Sequence, residues 1–213
     1  MAKALWFLLK PALLMVGTLT LIYPVLVLLC LVTGWNNFIF TYVQGFFMLF
    51  DIIIIGICAA QAASAYAPLA LSFGVTRRSL RRAMAAFFVL LPLLCLVLDY
   101  LCNSITARLF YAEVNPIFVS LAQYPLQGLG LKLILCGTML WMGTMDFATL
   151  PIWKRVLVIV VLCVAYLQIA VFMLLGSFLS HTLSLYSLVL ILLSLPFAGL
   201  ALHQIRRLAI TQV

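Results

Sequence analysis

Charge is what this chain lacks most. Charged residues make up 8% of its 213 residues, against the roughly 25% of an ordinary soluble domain, so its surface is built to face something other than water. Acidic residues are scarcest, with four spread over four regions. Acid–base or metal chemistry needs polar groups that converge, and so thin a supply points away from it. No Gly-x-x-x-x-Gly-Lys-Ser/Thr stretch occurs, so no phosphate loop is expected and no intrinsic nucleotide hydrolysis. Neither a Gly-x-Ser-x-Gly elbow followed by a histidine nor a His-Glu-x-x-His helix is present. The sequence therefore predicts no catalytic residue, no cofactor bound by this chain and no metal site.

Cysteine is present but not in a framework. Cys30, Cys58, Cys95, Cys136 and Cys163 fall inside apolar runs, where a thiol behaves as a small hydrophobe, and only Cys102 lies near an expected surface. His181 and His203 fall at different expected ends, and no cysteine pair has metal-type spacing. The Met1–Lys10 start does not read as a removable signal, because its apolar stretch runs on without a small-residue cleavage site.

Apolar residues are what the chain has in abundance. Mean hydropathy is +1.32 and 68% of residues are hydrophobic. A hydrocarbon core of roughly 30 Å needs about 20 apolar residues in helical form. Six stretches reach that length, at about 11–32, 38–60, 83–101, 129–148, 156–178 and 183–202. In lipid each backbone polar group must be satisfied within its own segment, and no alternating barrel pattern appears, so the expected fold is an all-α bundle of six transmembrane helices. Pro11 stands at the expected start of the first span and Pro24 at an expected kink.

The net charge of +8 is distributed as an orientation signal, with basic residues in short clusters between apolar runs, and no nucleic-acid groove is expected. With six spans, one side holds Lys3, Lys10, Arg77, Arg78, Arg81, Arg82, Lys154, Arg155, Arg206 and Arg207, and the remaining two basic residues are Arg108 and Lys132. The positive-inside rule then places both ends in the cytoplasm, and the protein as a multi-pass protein of the cell membrane. Two connections are expected to be long: an inner loop over 61–82 and an outer loop over 102–128.

Inside those spans a few polar residues stand out. Gln44, Asp51 and Cys58 recur every seven residues on one face of the second span. A carboxylate at mid-membrane costs roughly 2.5–3.5 kcal/mol, so Asp51 is expected to face the bundle interior. It reads equally as a polar path lining and as a structural hydrogen-bonding group. Lys132 is its conceivable partner, and Gln168 in the fifth span reads as a path residue or as interhelical glue.

The inner loop carries the most distinctive stretch, Ala70-Leu71-Ser72-Phe73-Gly74-Val75-Thr76-Arg77-Arg78. Pro68 and Gly74 bracket a short helical piece, and Thr76 is placed to cap the next helix. The arginines alone read as a membrane anchor on anionic headgroups, but the apolar-and-glycine block beside them reads as a docking surface. This segment is similar to one found after the second helix in small bacterial ABC transporter permeases of the export type. The resemblance covers about these nine residues and the overall topology, and implies six spans, a dimer with a second permease copy, and a coupling element contacting a separate ATP-binding cassette subunit. Leu71, Ser72, Phe73, Gly74, Val75, Thr76, Arg77 and Arg78 would form that element, and ATP would be bound by the partner. Two alternatives stay open: a substrate-binding membrane subunit of an ATP-driven uptake system, and a non-transporting membrane scaffold.

Overall fold

The computed structural model describes residues 2–33, 53–110, 125–145, 151–153, 156, 158–160 and 182–205. Among them every extended element is a helix and no strand occurs. We number the five long helices α1 (Ala2–Thr33), α2 (Ile53–Ser72), α3 (Arg77–Phe110), α4 (Pro125–Thr144) and α5 (Thr182–Gln204). Four of them, all but α4, are long and apolar enough to cross a membrane.

The helices overrun the apolar windows that announced them. α1 starts at Ala2 rather than at Pro11, and passes through both Pro11 and Pro24. Its first turns are helical because Ala4, Leu8, Ala12 and Val16 recur every fourth residue and bury one stripe, while Lys3 and Lys10 stay exposed. α3 runs for 34 residues, about 51 Å at 1.5 Å per residue, well beyond the expected 83–101. It absorbs the arginine cluster at one end, and at the other the 102–110 part of the expected outer loop. Similarly, α4 opens at Pro125, where a missing N–H costs a helix nothing, so 125–128 of that expected loop are helical too.

The expected inner loop over 61–82 is mostly not a loop. Gln61 to Ala67 is dominated by alanine, a strong helix former too weakly apolar to register as a span, and α2 continues through it to Ser72. Within α2 the backbone widens to a π-turn over Ala62–Tyr66, followed by the expected short α-helical piece, Ala67–Ser72. Only Phe73–Thr76 is non-helical.

That turn is fully specified by its residues. Gly74 sits at φ 82°, its N–H bonds to the Leu71 carbonyl at 3.0 Å, and the Val75 N–H reaches back to the Ala70 carbonyl at 3.1 Å. These two bonds make a Schellman motif, with Gly74 in the left-handed position that a Cβ disfavours. Two residues on, the Thr76 hydroxyl oxygen accepts the Ser79 N–H at 3.3 Å, the N-cap the sequence predicts. Gly74→Ala is expected to destabilise the fold by about 1–2 kcal/mol, the strain of a left-handed L-residue, measured as a shift of the unfolding transition in detergent.

Small residues let the helices approach closely. α4 and α5 lie parallel: a Cβ on Gly130 would meet the Ser187 carbonyl at 3.0 Å, and one on Gly137 would meet that of Ser194 at 3.0 Å. The seven-residue interval on both strands of this seam is that of a left-handed supercoil. At its end the Thr144 hydroxyl lies 2.5 Å from Gln204 Oε1. α2 is also parallel to α4, with Gly56 against Met139 and Ala60 against Gly143. α1 and α3 run the opposite way, side by side, with the Tyr23 hydroxyl donating to the Cys102 carbonyl at 3.4 Å. The core shared by all five includes Leu8, Ile55, Leu80, Phe87, Leu91, Cys95 and Cys136. Around it, large apolar side chains such as Leu21, Val25, Val32, Leu192 and Leu195 face outward, as a lipid-facing surface requires.

Candidate functional site

Two features stand apart from this packing, one at the start of α3 and one about two-thirds of the way along it. The first is the Phe73–Thr76 turn, at what we call the basic end. Of the eight residues expected to form a coupling surface, the structure divides the set by exposure. Leu71 is buried at 7% exposure and Val75 is half-buried against the core, so both are committed to holding the turn. Ser72, Phe73, Gly74, Thr76, Arg77 and Arg78 are exposed, and Phe73 is 71% exposed despite being aromatic.

Phe73 is nevertheless not loose. The ring of Phe7, near the start of α1, stands edge-on to Phe73 at 6.2 Å and to Tyr66 of the π-turn at 6.0 Å. Edge-to-face pairs of this kind orient rings as well as stabilise them. The Ser72 hydroxyl turns back to the Leu69 carbonyl at 2.7 Å. The result is an apolar knuckle, braced by the Phe7 ring of α1 and followed by the exposed Arg77 and Arg78 at the start of α3. Phe7 and Tyr66 were not singled out by sequence; the signal was weak, since each is one aromatic among many.

The second feature is an ion pair. Lys132 Nζ lies 2.5 Å from Asp99 Oδ2, and the two side chains are 5% and 11% exposed. Asp99 lies 22 residues along α3 from Arg77, about 33 Å at the helical rise, so the pair sits well away from the basic end. Lys132 enters from the second turn of α4, which runs antiparallel to α3. A buried charge is tolerable only when paired, and each partner here supplies the other's counter-charge.

Asp51, the acid first considered for Lys132, lies outside the described residues, as do Gln44 and Gln168. The carboxylate the structure brings to Lys132 is Asp99. The signal for it was available: both residues fall at the same end of consecutive, oppositely directed spans. Among the described residues no group of three or more His, Cys, Asp or Glu side chains gathers as metal ligands would.

Among the described residues, an all-helical fold with four membrane-length apolar helices, a lipid-type exterior and a buried charge pair defines a membrane-embedded protein. Comparison of the chain with protein-family models, curated proteins and solved structures finds no match.

Proposed function

We propose that the chain is the membrane-spanning permease subunit of an ATP-driven exporter of the ABC type, and that its Phe73–Arg78 knuckle couples it to a separate ATPase. The observation that carries this reading is the exposed, braced Phe73 ring, followed within five residues by the exposed Arg77 and Arg78. A side chain shown to solvent yet held by a Schellman motif, an N-cap and an aromatic neighbour is suited to receive force from a partner and pass it to two helices at once. α2 ends at the knuckle and α3 starts there, so a push on Phe73 tilts both.

In this reading the chain crosses the cell membrane six times with both ends on the cytoplasmic side. The parallel arrangement of α4 and α5 supports it, because the chain must regain the full helix length between Thr144 and Thr182. A second permease copy completes the substrate path, and the partner subunit binds and hydrolyses ATP. Gln44, Asp51, Lys132 and Gln168 are the polar groups proposed to lie along or beside that path.

Phe73→Glu tests the coupling surface. In vesicles containing the permease and its ATPase, the variant is expected to lose most transport and most transport-linked stimulation of ATP hydrolysis, while remaining folded. Full transport by Phe73→Glu would remove the coupling assignment. Gly74 is the poorer probe, because any side chain there also strains the turn.

A further inference from the structure

The knuckle does not stand alone at the basic end, because the start of α1 runs beside it. Lys3, Phe7 and Lys10 are spaced i, i+4 and i+7, and so share one flank of α1. The Phe7 ring lies edge-on to Tyr66 at 6.0 Å and to Phe73 at 6.2 Å, so this flank faces the knuckle. Both of its lysines are exposed, as are Arg77, Arg78 and Arg82 of α3, whereas Arg81 is half-buried. Among the described residues Asp99 is the only carboxylate, and it lies about 33 Å along α3 from Arg77. Asp146, just past the end of α4, lies outside the described residues.

Depth separates the two lysines. The apolar run of α3 begins at Ala83, six residues or about 9 Å after Arg77. The headgroup layer adds about 5–7 Å on each side of the hydrocarbon, so the Phe73–Thr76 turn, which precedes Arg77, stands beyond the headgroups in water. The Phe7 ring meets both Tyr66 and Phe73, which are seven residues apart, and so stands between them in height. Lys3 is about 6 Å from Phe7 towards the basic end, which brings it level with Phe73. Lys10 is about 4.5 Å the other way, at the depth of the headgroups. Lipid phosphates therefore serve Lys10, and leave Lys3 and the exposed Phe73 ring for a partner in the aqueous phase.

We infer that Lys3 of α1, Phe73 of the turn and Arg78 of α3 form one docking surface, and that the face of the ATPase subunit seated on it carries carboxylates around an apolar pocket. The pocket takes the Phe73 ring, and the carboxylates complement Lys3 and Arg78 in the arrangement usual for an interface, apolar at its centre and polar at its rim. The inference rests on the coupling reading and adds a helix to it: α1 meets the partner directly instead of only bracing the turn from one side. Lys10 belongs to the membrane anchor.

The test is the dissociation constant of the ATPase subunit that drives transport in vesicles, measured on the full chain in nanodiscs of phosphatidylcholine, which carry no net charge. Lys3→Glu is expected to weaken binding about tenfold and Lys3→Arg to retain it, because a rim charge acts through steering and like-charge repulsion. Lys10→Glu is expected to stay within about twofold. Raising the salt is expected to weaken the unaltered protein and to affect Lys3→Glu less. Because Lys3 is exposed, its variants are expected to keep the unaltered unfolding transition. Unchanged binding by Lys3→Glu, an equal loss in Lys10→Glu, or binding insensitive to salt overturns the inference. Phe73→Glu keeps the two readings apart. If it abolishes binding while Lys3→Glu does not, only the α1 contact fails; if it binds as the unaltered chain does, the coupling reading fails as well.

Discussion

Lys132→Met is expected to destabilise the bundle by about 3–5 kcal/mol, the largest effect of any single substitution considered. Methionine fills similar volume, so little packing is lost. What the change leaves behind is a carboxylate, 11% exposed, whose counter-charge 2.5 Å away has gone. Asp99→Leu should do comparable damage by stranding the ammonium. The double variant is the informative one. Replacing both partners with apolar groups removes the desolvation cost together with the attraction, so Asp99→Leu/Lys132→Met is expected to regain most of the lost stability. Unfolding in mixed micelles, read by helical signal, would measure all three. If the single and double variants unfold together, the pair does not work as a pair. If the double variant is stable yet inactive in transport, the charges are there for function, as intramembrane ion pairs commonly are.

Gly143→Ala, the addition of one methyl group, is expected to cost about 1–3 kcal/mol through overpacking. A Cβ there would stand 2.5 Å from the Ala60 carbonyl oxygen and 2.8 Å from the Ala63 Cβ. The first is backbone, and cannot rotate aside as a side chain end can. Relief requires α2 and α4 to separate, which also disturbs Gly56 against Met139. Gly17 in α1 is the control, since a Cβ there meets nothing within 4 Å. Gly17→Ala should be neutral or stabilising by up to about 1 kcal/mol, because alanine loses less backbone freedom in a helix. Equal stability of the two variants would mean that α2 and α4 are not packed as described.

Much of this architecture was legible in the sequence, and the parts that were not share a cause. Apolar windows located the five described helices because burial in hydrocarbon needs some 20 apolar residues, while most of the expected span at 156–178 lies outside the described residues. They misplaced the ends, because a helix need not stop where its apolar run does. Lys3 and Lys10 ride on an exposed face of α1, and Gln61–Ala67 is helical by propensity. Thr76 and Gly74 were readable because caps and left-handed turns act through single residues and their immediate neighbours. Asp51, nearest mid-span, is the acid that hydropathy makes conspicuous, whereas depth and direction of consecutive spans together point to Asp99 as the partner of Lys132. Arg81 was not separable from its neighbours by sequence; only burial distinguishes it. The split within the knuckle, with Leu71 and Val75 facing in and Phe73 out, likewise depends on the turn's three-dimensional course.

The π-turn at Ala62–Tyr66 has a consequence for how α2 serves two sets of neighbours. Ala60 and Ala67 are seven residues apart, and a regular helix would aim them nearly the same way. One additional residue in the intervening turn swings the lower piece by about 100°. α2 thus gives Gly56 and Ala60 to α4 above, while below it Ala67, Ala70 and Leu71 enter the core and Tyr66 meets the Phe7 ring of α1. The helix behaves as a swivel: one insertion's worth of backbone lets a single rod belong to the α4–α5 block at its upper half and to the knuckle at its lower half. Were the chain to trade that wide turn for an ordinary one, Phe73 would swing round with it.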